Sequence, residues 1–248
     1  VGSEMCIRDS DRPVITPDDG NEPEKPDVTE TKTGTLAFED IWPGGGDYDM
    51  NDVIVEYNRA VSFDKKNQVT KIVDTFTPVH DGAVFANAFA YQVDKGQFGK
   101  MTFSATTEGI HTESATSSII VCPNVKQAIQ KVYTITREFT GGSFNKKDLK
   151  SYNPYIIVKY AEGQKGRTEV HLPKHEATSL ADLSLAGTQK DAYYIDKEGA
   201  YPFAIDIPIL NFISVTEKKS IDTEYPNFKA WADSKGEKYT DWYNNHVN

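Results

Sequence analysis

Asp47, Asp49, Asn51 and Asp52 fall within six positions, behind Gly44-Gly45-Gly46 and ahead of the β-branched run Val53-Ile54-Val55. Hard cations such as calcium take about six to eight oxygen ligands from carboxylates, amide oxygens and backbone carbonyls on a tight loop. A D-x-D-x-N stretch offers such ligands, because alternate side chains converge once the loop curls. Calcium is the expected ion, though the same oxygen ligands suit manganese, with Glu39 and Asp40, just before the glycines, as the nearest further donors. The competing reading is a polar, Asx-rich turn that only joins two strands.

The likeness to an EF-hand loop stops half-way. Asp47, Asp49 and Asn51 suit its first three ligand positions, but Asp52 stands where glycine belongs and Asn58 where a bidentate Glu belongs. Asp52 is then either a ligand or an Asx cap accepting backbone N–H groups. Glu39 is either a ligand or a solvated strand-edge charge. The glycine triplet is expected to supply the positive φ angles of a tight ligand loop. Trp42 and Tyr48 beside the loop, and Trp242, are candidates to stack on a sugar ring if exposed and are core if buried; Asn87 is a candidate to reach the loop.

Enzyme readings find little support in these residues. Gly44-Gly45-Gly46 lacks the G-K-[ST] ending of a phosphate-binding loop, and Gly141-Gly142-Ser143 is not a G-x-S-x-G elbow. His171 and His175 are four apart, but Pro173 forbids the helix that would align them on zinc, so both read as loop or edge residues. With 37 acidic residues a carboxylate pair of the glycosidase kind has no distinguishing spacing.

The loop also carries a likeness. Phe38-Glu39-Asp40-Ile41-Trp42-Pro43-Gly44-Gly45-Gly46-Asp47-Tyr48-Asp49-Met50-Asn51-Asp52 resembles the signature of LruC-domain proteins, a family of bacterial surface proteins. Ala83–Gln92 is similar to that family's G-x-x-Y-H-N-G-F-G-F-Q strand, with Ala86 and Ala88 where His and Gly are more usual. Tyr152–Val158 and Glu169–Pro173 resemble its middle; Tyr201–Ile205 and Tyr225–Ala232 resemble its end. The resemblance spans about residues 34–243. It implies export to a bacterial cell surface, outer membrane or periplasm, as in a lipoprotein, but no biochemical mechanism.

Val1–Ser10 resembles the translation of a sequencing-library adapter and is set aside as an artefact. Any export signal or N-terminal anchor ahead of residue 11 is then lost, and of the two cysteines only Cys122 is native. Residues 11–34 hold four prolines and seven acidic against three basic side chains, the composition of a disordered, acidic, Pro-rich linker. The rest, 35–248, is one domain and mildly acidic. That balance argues against nucleic acid, and no window approaches the apolar length of a membrane span.

Alternation in this domain is of period two. Val53, Val55, Tyr57, Val61 and Phe63 mark a strand; Asp64–Asn67 turns the chain and 68–79 returns, a hairpin. Further strands are expected over 85–93, 100–106, 117–122, 131–139, 154–160, 167–172 and 202–207. The reading is mainly β: a β-sandwich or jelly-roll-like single domain with one C-terminal helix. In that helix Ile221, Tyr225, Phe228 and Ala232 share a face, Pro226 suits the first turn and Gly236 the end. A weaker helix is expected over 125–131.

The function expected is a non-enzymatic, calcium-binding, surface-displayed module for adhesion, in contact with a glycan or a surface protein. Alternatives are a structural or assembly component of a surface fibre, and a carbohydrate-active enzyme.

Overall fold

The structure, a computed structural model, describes residues 28–139, 144–150, 152–160, 166–184, 194–196 and 201–247. Expectations for residues 1–10, for the linker up to residue 27 and for Gly141–Ser143 fall outside these residues.

Among the described residues eleven strands run in chain order: β1 Val28–Phe38, β2 Val53–Phe63, β3 Val69–His80, β4 Ala88–Gln92, β5 Met101–Ala105, β6 His111–Glu113, β7 Ser118–Cys122, β8 Tyr133–Phe139, β9 Asn153–Ile157, β10 Glu169–His171 and β11 Ala204–Ile207. They form two antiparallel sheets, ordered β11-β1-β2-β3-β8-β5 and β10-β9-β4-β7-β6. The fold is mainly β and sandwich-like, as the alternation predicts. Leu36, Phe38, Val55 and Phe76 of the first sheet meet Phe89, Tyr91, Val121 and Ile156 of the second in one core. Phe89 packs its ring against both Phe38 and Phe76, at 6.3 and 5.1 Å between centroids.

The first sheet is covered on its other face as well. Ala37, Ile54, Ile205 and Ile207 turn away from the sandwich core and pack against Phe212, Val215, Ile221, Tyr225, Phe228 and Trp242. Strand β11 and the chain following it thus form an aromatic cap over β1 and β2. Burial on both faces explains why the inner ends of β1 and β2 carry apolar residues in succession.

Three expectations need correction. Residues 28–34, read as linker, form the first half of β1, where Val28 to Gly34 pair with Phe63 to Tyr57. Their alternating threonines have β propensity, but their exposed face carries no apolar signal. The C-terminal helix α2 is only Phe228–Asp233; Ile221–Thr223 is a separate 3-10 turn, and Pro226 precedes the helix instead of opening it. Ser234 caps its end, and the chain turns away through Lys235 and Gly236, at φ +59° and +83°. Residues 125–127 form one 3-10 turn in place of a weak helix, and a four-residue helix α1, Lys95–Phe98, and the short strand β6 were not foreseen.

Candidate metal centre in the loop between the first two strands

Phe38 pairs with Val53 at the end of the β1–β2 ladder, so residues 39–52 are one hairpin connection closed at its base. Hairpin loops usually take about two to five residues, and much longer ones tend to be functional. A loop folded on itself must still satisfy its backbone N–H groups, and here its carboxylates do so. Glu39 accepts the N–H of Met50. Asp49 accepts the N–H of Asn51 on Oδ1 at 3.3 Å and that of Lys218 on Oδ2 at 2.8 Å. Asp52 accepts the N–H of Asp40 at 2.8 Å, the capping role open to an Asx residue.

The curl comes from unexpected residues. Among the described glycines only Gly109, Gly166 and Gly236 have positive φ, so the triplet does not supply it. Tyr48 and Met50 do, at φ +56° and +54°. Left-handed backbone at a non-glycine residue costs about 1–3 kcal/mol and persists only where the surroundings hold it. Tyr48 is held by its carbonyl, which accepts the Ile221 N–H at 2.8 Å, and by Tyr201, stacked at 5.1 Å. Met50 is fully buried and donates to Glu39. Gly46 serves another purpose: a Cβ there would lie 2.8 Å from Glu39 Oε2 and 2.9 Å from Ile41 Cγ2.

The curl brings Glu39, Asp47 and Asp49 together, each with a carboxylate oxygen within 4.8 Å of the others. Glu39 and Asp49 are 1% and 2% exposed, while Asp47 stands at the surface, so the cluster has a closed floor and an open mouth. Burial drives the Glu39 carboxyl well above the usual range, and Asp52, Asp49 and Asp47 add like-charge repulsion. Burial raises Asp49 too, with Asp47 adding to it. Asp52 is pushed up to about 7, again chiefly by burial. Three oxygen donors so placed suit a hard cation, whose charge would stabilise their ionised forms.

The remaining candidates stand outside this three-carboxylate group. Asn51 directs its amide elsewhere: Nδ2 donates to the Val215 carbonyl at 3.1 Å, and Oδ1 lies where a Cβ on Gly82 would sit 2.5 Å away. Asp40 Oδ2 accepts Asn87 Nδ2 at 2.7 Å, so Asn87 reaches the loop through Asp40 and is itself fully buried. Trp42 is 3% exposed and packs on Tyr194 at 4.8 Å; Trp242 is 2% exposed inside the aromatic cap. Both are core, and neither offers a ring to a sugar. Tyr48 is half-buried, one ring face taken by Tyr201 and its hydroxyl donated to Asp196 at 2.7 Å.

A second polar cluster was barely legible in the sequence. His171, read as a loop or edge residue, does lie on edge strand β10 but is completely buried. Its ring nitrogens face Asn153 Oδ1 at 2.8 Å and Glu169 Oε2 at 2.9 Å, and Tyr155 stacks on it at 4.4 Å. Glu169 also accepts Arg167 Nε at 2.6 Å and both the N–H and hydroxyl of Thr178. Burial works to raise the Glu169 carboxyl, but His171, Arg167 and Thr178 outweigh it and carry it down to about 2. Arg167 in turn meets Glu113 through two bonds of 2.7 Å. Only the alternation Arg167-Glu169-His171, placing all three on one face, hinted at such a cluster.

The profile of a domain of unknown function (DUF4842) matches residues 67–243. The chain belongs to the DUF4842 family. The matched span starts in the β2–β3 turn, after the carboxylate loop. The finer likeness to LruC-domain proteins rests on the motif blocks alone. Among curated proteins none matches the chain. Among solved structures it shares its fold with a candidate lipoprotein from Bacteroides ovatus, at TM-score 0.63 and 17% identity, over 90% of this chain and 75% of that one. At that identity the likeness concerns fold alone. No helix among the described residues is long and apolar enough to cross a membrane.

Proposed function

We propose that this DUF4842 domain is a calcium-binding, non-enzymatic β-sandwich module, displayed at a bacterial surface and used in contact with a glycan or another surface protein. The observation that carries the cation is the convergence of Glu39, Asp47 and Asp49 on one closed loop, with two of the three buried. Buried carboxylates this close repel one another unless protonated or met by positive charge. Each of the two buried members is tied to backbone N–H groups, which fixes it in place without neutralising it. The fold shared with a candidate lipoprotein supports placement outside the cytoplasm. With Trp42 and Trp242 in the core, the contact surface would be the loop rim around Asp47 and Tyr48.

Thermal melts in EDTA and in a calcium series, beside Asp47→Ala/Asp49→Ala, test the cation. Ligand linkage predicts about 2.7 kcal/mol of stabilisation at a hundredfold excess over the dissociation constant. A rise in midpoint that the double variant abolishes supports the site. Identical melts in EDTA and calcium would reduce the loop to an Asx-rich connection.

A further inference from the structure

Arg137 and Tyr152 each bury one polar atom, Nε and Oη respectively, that finds no hydrogen-bond partner among the described residues. Both side chains line one cavity of about 10 Å³, together with Arg59, Asp94, Gln97 and Lys150. A space of that size holds the centre of a single water or monatomic ion. It lies under the first sheet, where Arg59 of β2 covers the Tyr152 ring at 3.8 Å and Arg137 rises from β8.

The local charge does not cancel. Asp74, fully enclosed on β3, accepts Arg59 Nε at 2.7 Å, Arg137 Nη2 at 2.9 Å and the Tyr91 hydroxyl at 3.1 Å. Asp94 turns its carboxylate to the Gly96 N–H at 2.9 Å and to Lys150 at 3.2 Å. Lys150, 76% exposed, pairs with Asp94 at the surface, whereas the two enclosed guanidinium groups of Arg59 and Arg137 share the single buried carboxylate of Asp74. A buried donor without an acceptor is unfavourable, and an unbalanced buried cation more so.

We infer that this cavity is a binding site for one small monovalent anion of halide size, held between Arg137 Nε–H and the Tyr152 hydroxyl. A water molecule would satisfy the two orphaned groups but leave the charge unbalanced; a halide meets both demands. Sulfate, phosphate and carboxylates are too large for the space. The anion ties the β2–β3–β8 part of the first sheet to the segment leading into β9, and the site is independent of the carboxylate loop.

Diffraction from crystals grown with bromide in place of chloride, recorded at the bromine absorption edge, tests this directly. The expected result is an anomalous peak within hydrogen-bonding reach of both Arg137 Nε and Tyr152 Oη. Melts at constant ionic strength in chloride, bromide and gluconate accompany it: halide raises the midpoint of the unmodified protein, and Tyr152→Phe loses that rise. A cavity with water-like density and no anomalous signal overturns the inference, as does bromide found on the surface only, an adventitious ion only. Should Tyr152→Phe fail to fold, the peak in the unmodified protein still decides.

Discussion

The backbone N–H of Lys218 donates to the Asp49 carboxylate at 2.8 Å, joining residues 169 positions apart. Three positions on, the Ile221 N–H donates to the Tyr48 carbonyl. The loop between β1 and β2 is thereby stitched to the start of the aromatic cap, so the state of its carboxylates is felt by the C-terminal segment. Asp49→Ala removes the acceptor used by both Lys218 and Asn51. The expected loss is about 1–3 kcal/mol, with faster amide hydrogen exchange at Lys218 and Ile221 than in the core strands. Unchanged exchange at these two amides would show that the stitch does not hold the segment.

A paired substitution separates crowding from flexibility in the glycine triplet. Gly46→Ala places a methyl group against Glu39 Oε2 and Ile41, whereas Gly45→Ala meets nothing within 4 Å. Calcium titration followed by calorimetry is expected to show weakened binding for Gly46→Ala and near-native binding for Gly45→Ala. Equal losses at both positions would point to backbone freedom, and not the space for Glu39, as the requirement.

Without divalent cation, stability should fall as pH rises through the neutral range. Glu39, Asp49 and Asp52 have carboxyl groups raised in the folded state, Asp52 to about 7. The native protein then binds more protons than the unfolded chain, whose carboxylates ionise near about 4, so raising the pH between those values costs stability. Urea unfolding in EDTA at about pH 5.5 and about pH 8 is expected to show the protein more stable at the lower pH. At the proposed calcium site, saturating calcium would stabilise the ionised groups and is expected to flatten or reverse that slope. A pH-independent stability in EDTA would mean that neither burial nor neighbouring charge raises these carboxyl groups in the folded protein.

The opposite sign holds for the buried partners of arginine. Burial raises Asp74, but Arg59 and Arg137 outweigh it and hold it below the ordinary range; Glu169 is likewise depressed. Their contribution is complete above the unfolded carboxylate range and is lost as pH falls through their folded values. Acid unfolding is therefore expected to set in below about pH 4, whatever calcium does at neutral pH.

Glu169→Ala leaves Arg167, His171 and the Thr178 N–H without their shared acceptor in a fully buried place. Breaking such a buried charge cluster typically costs about 3–5 kcal/mol. Chemical denaturation is the check; a loss under about 1 kcal/mol, the scale of exposed ion pairs, would mean water replaces the carboxylate without difficulty.

By itself the sequence determined the β class, the β2–β3 hairpin with its Asp64–Asn67 turn, most strand positions and the crowding of acidic side chains in one loop. These follow from period-two alternation and turn residues, which are local and need no partner to be read. Tertiary structure decided which carboxylates meet. Glu39 joins Asp47 and Asp49 because the Phe38–Val53 pair closes the loop, while Asn51, equally well placed in sequence, is drawn away by Val215. It also moved the curl from the glycines to Tyr48 and Met50, sent Trp42 and Trp242 into the core, and assembled Arg167, Glu169 and His171 into a buried cluster. Convergence of side chains depends on contacts between residues far apart in the chain, and no periodicity along one strand encodes them.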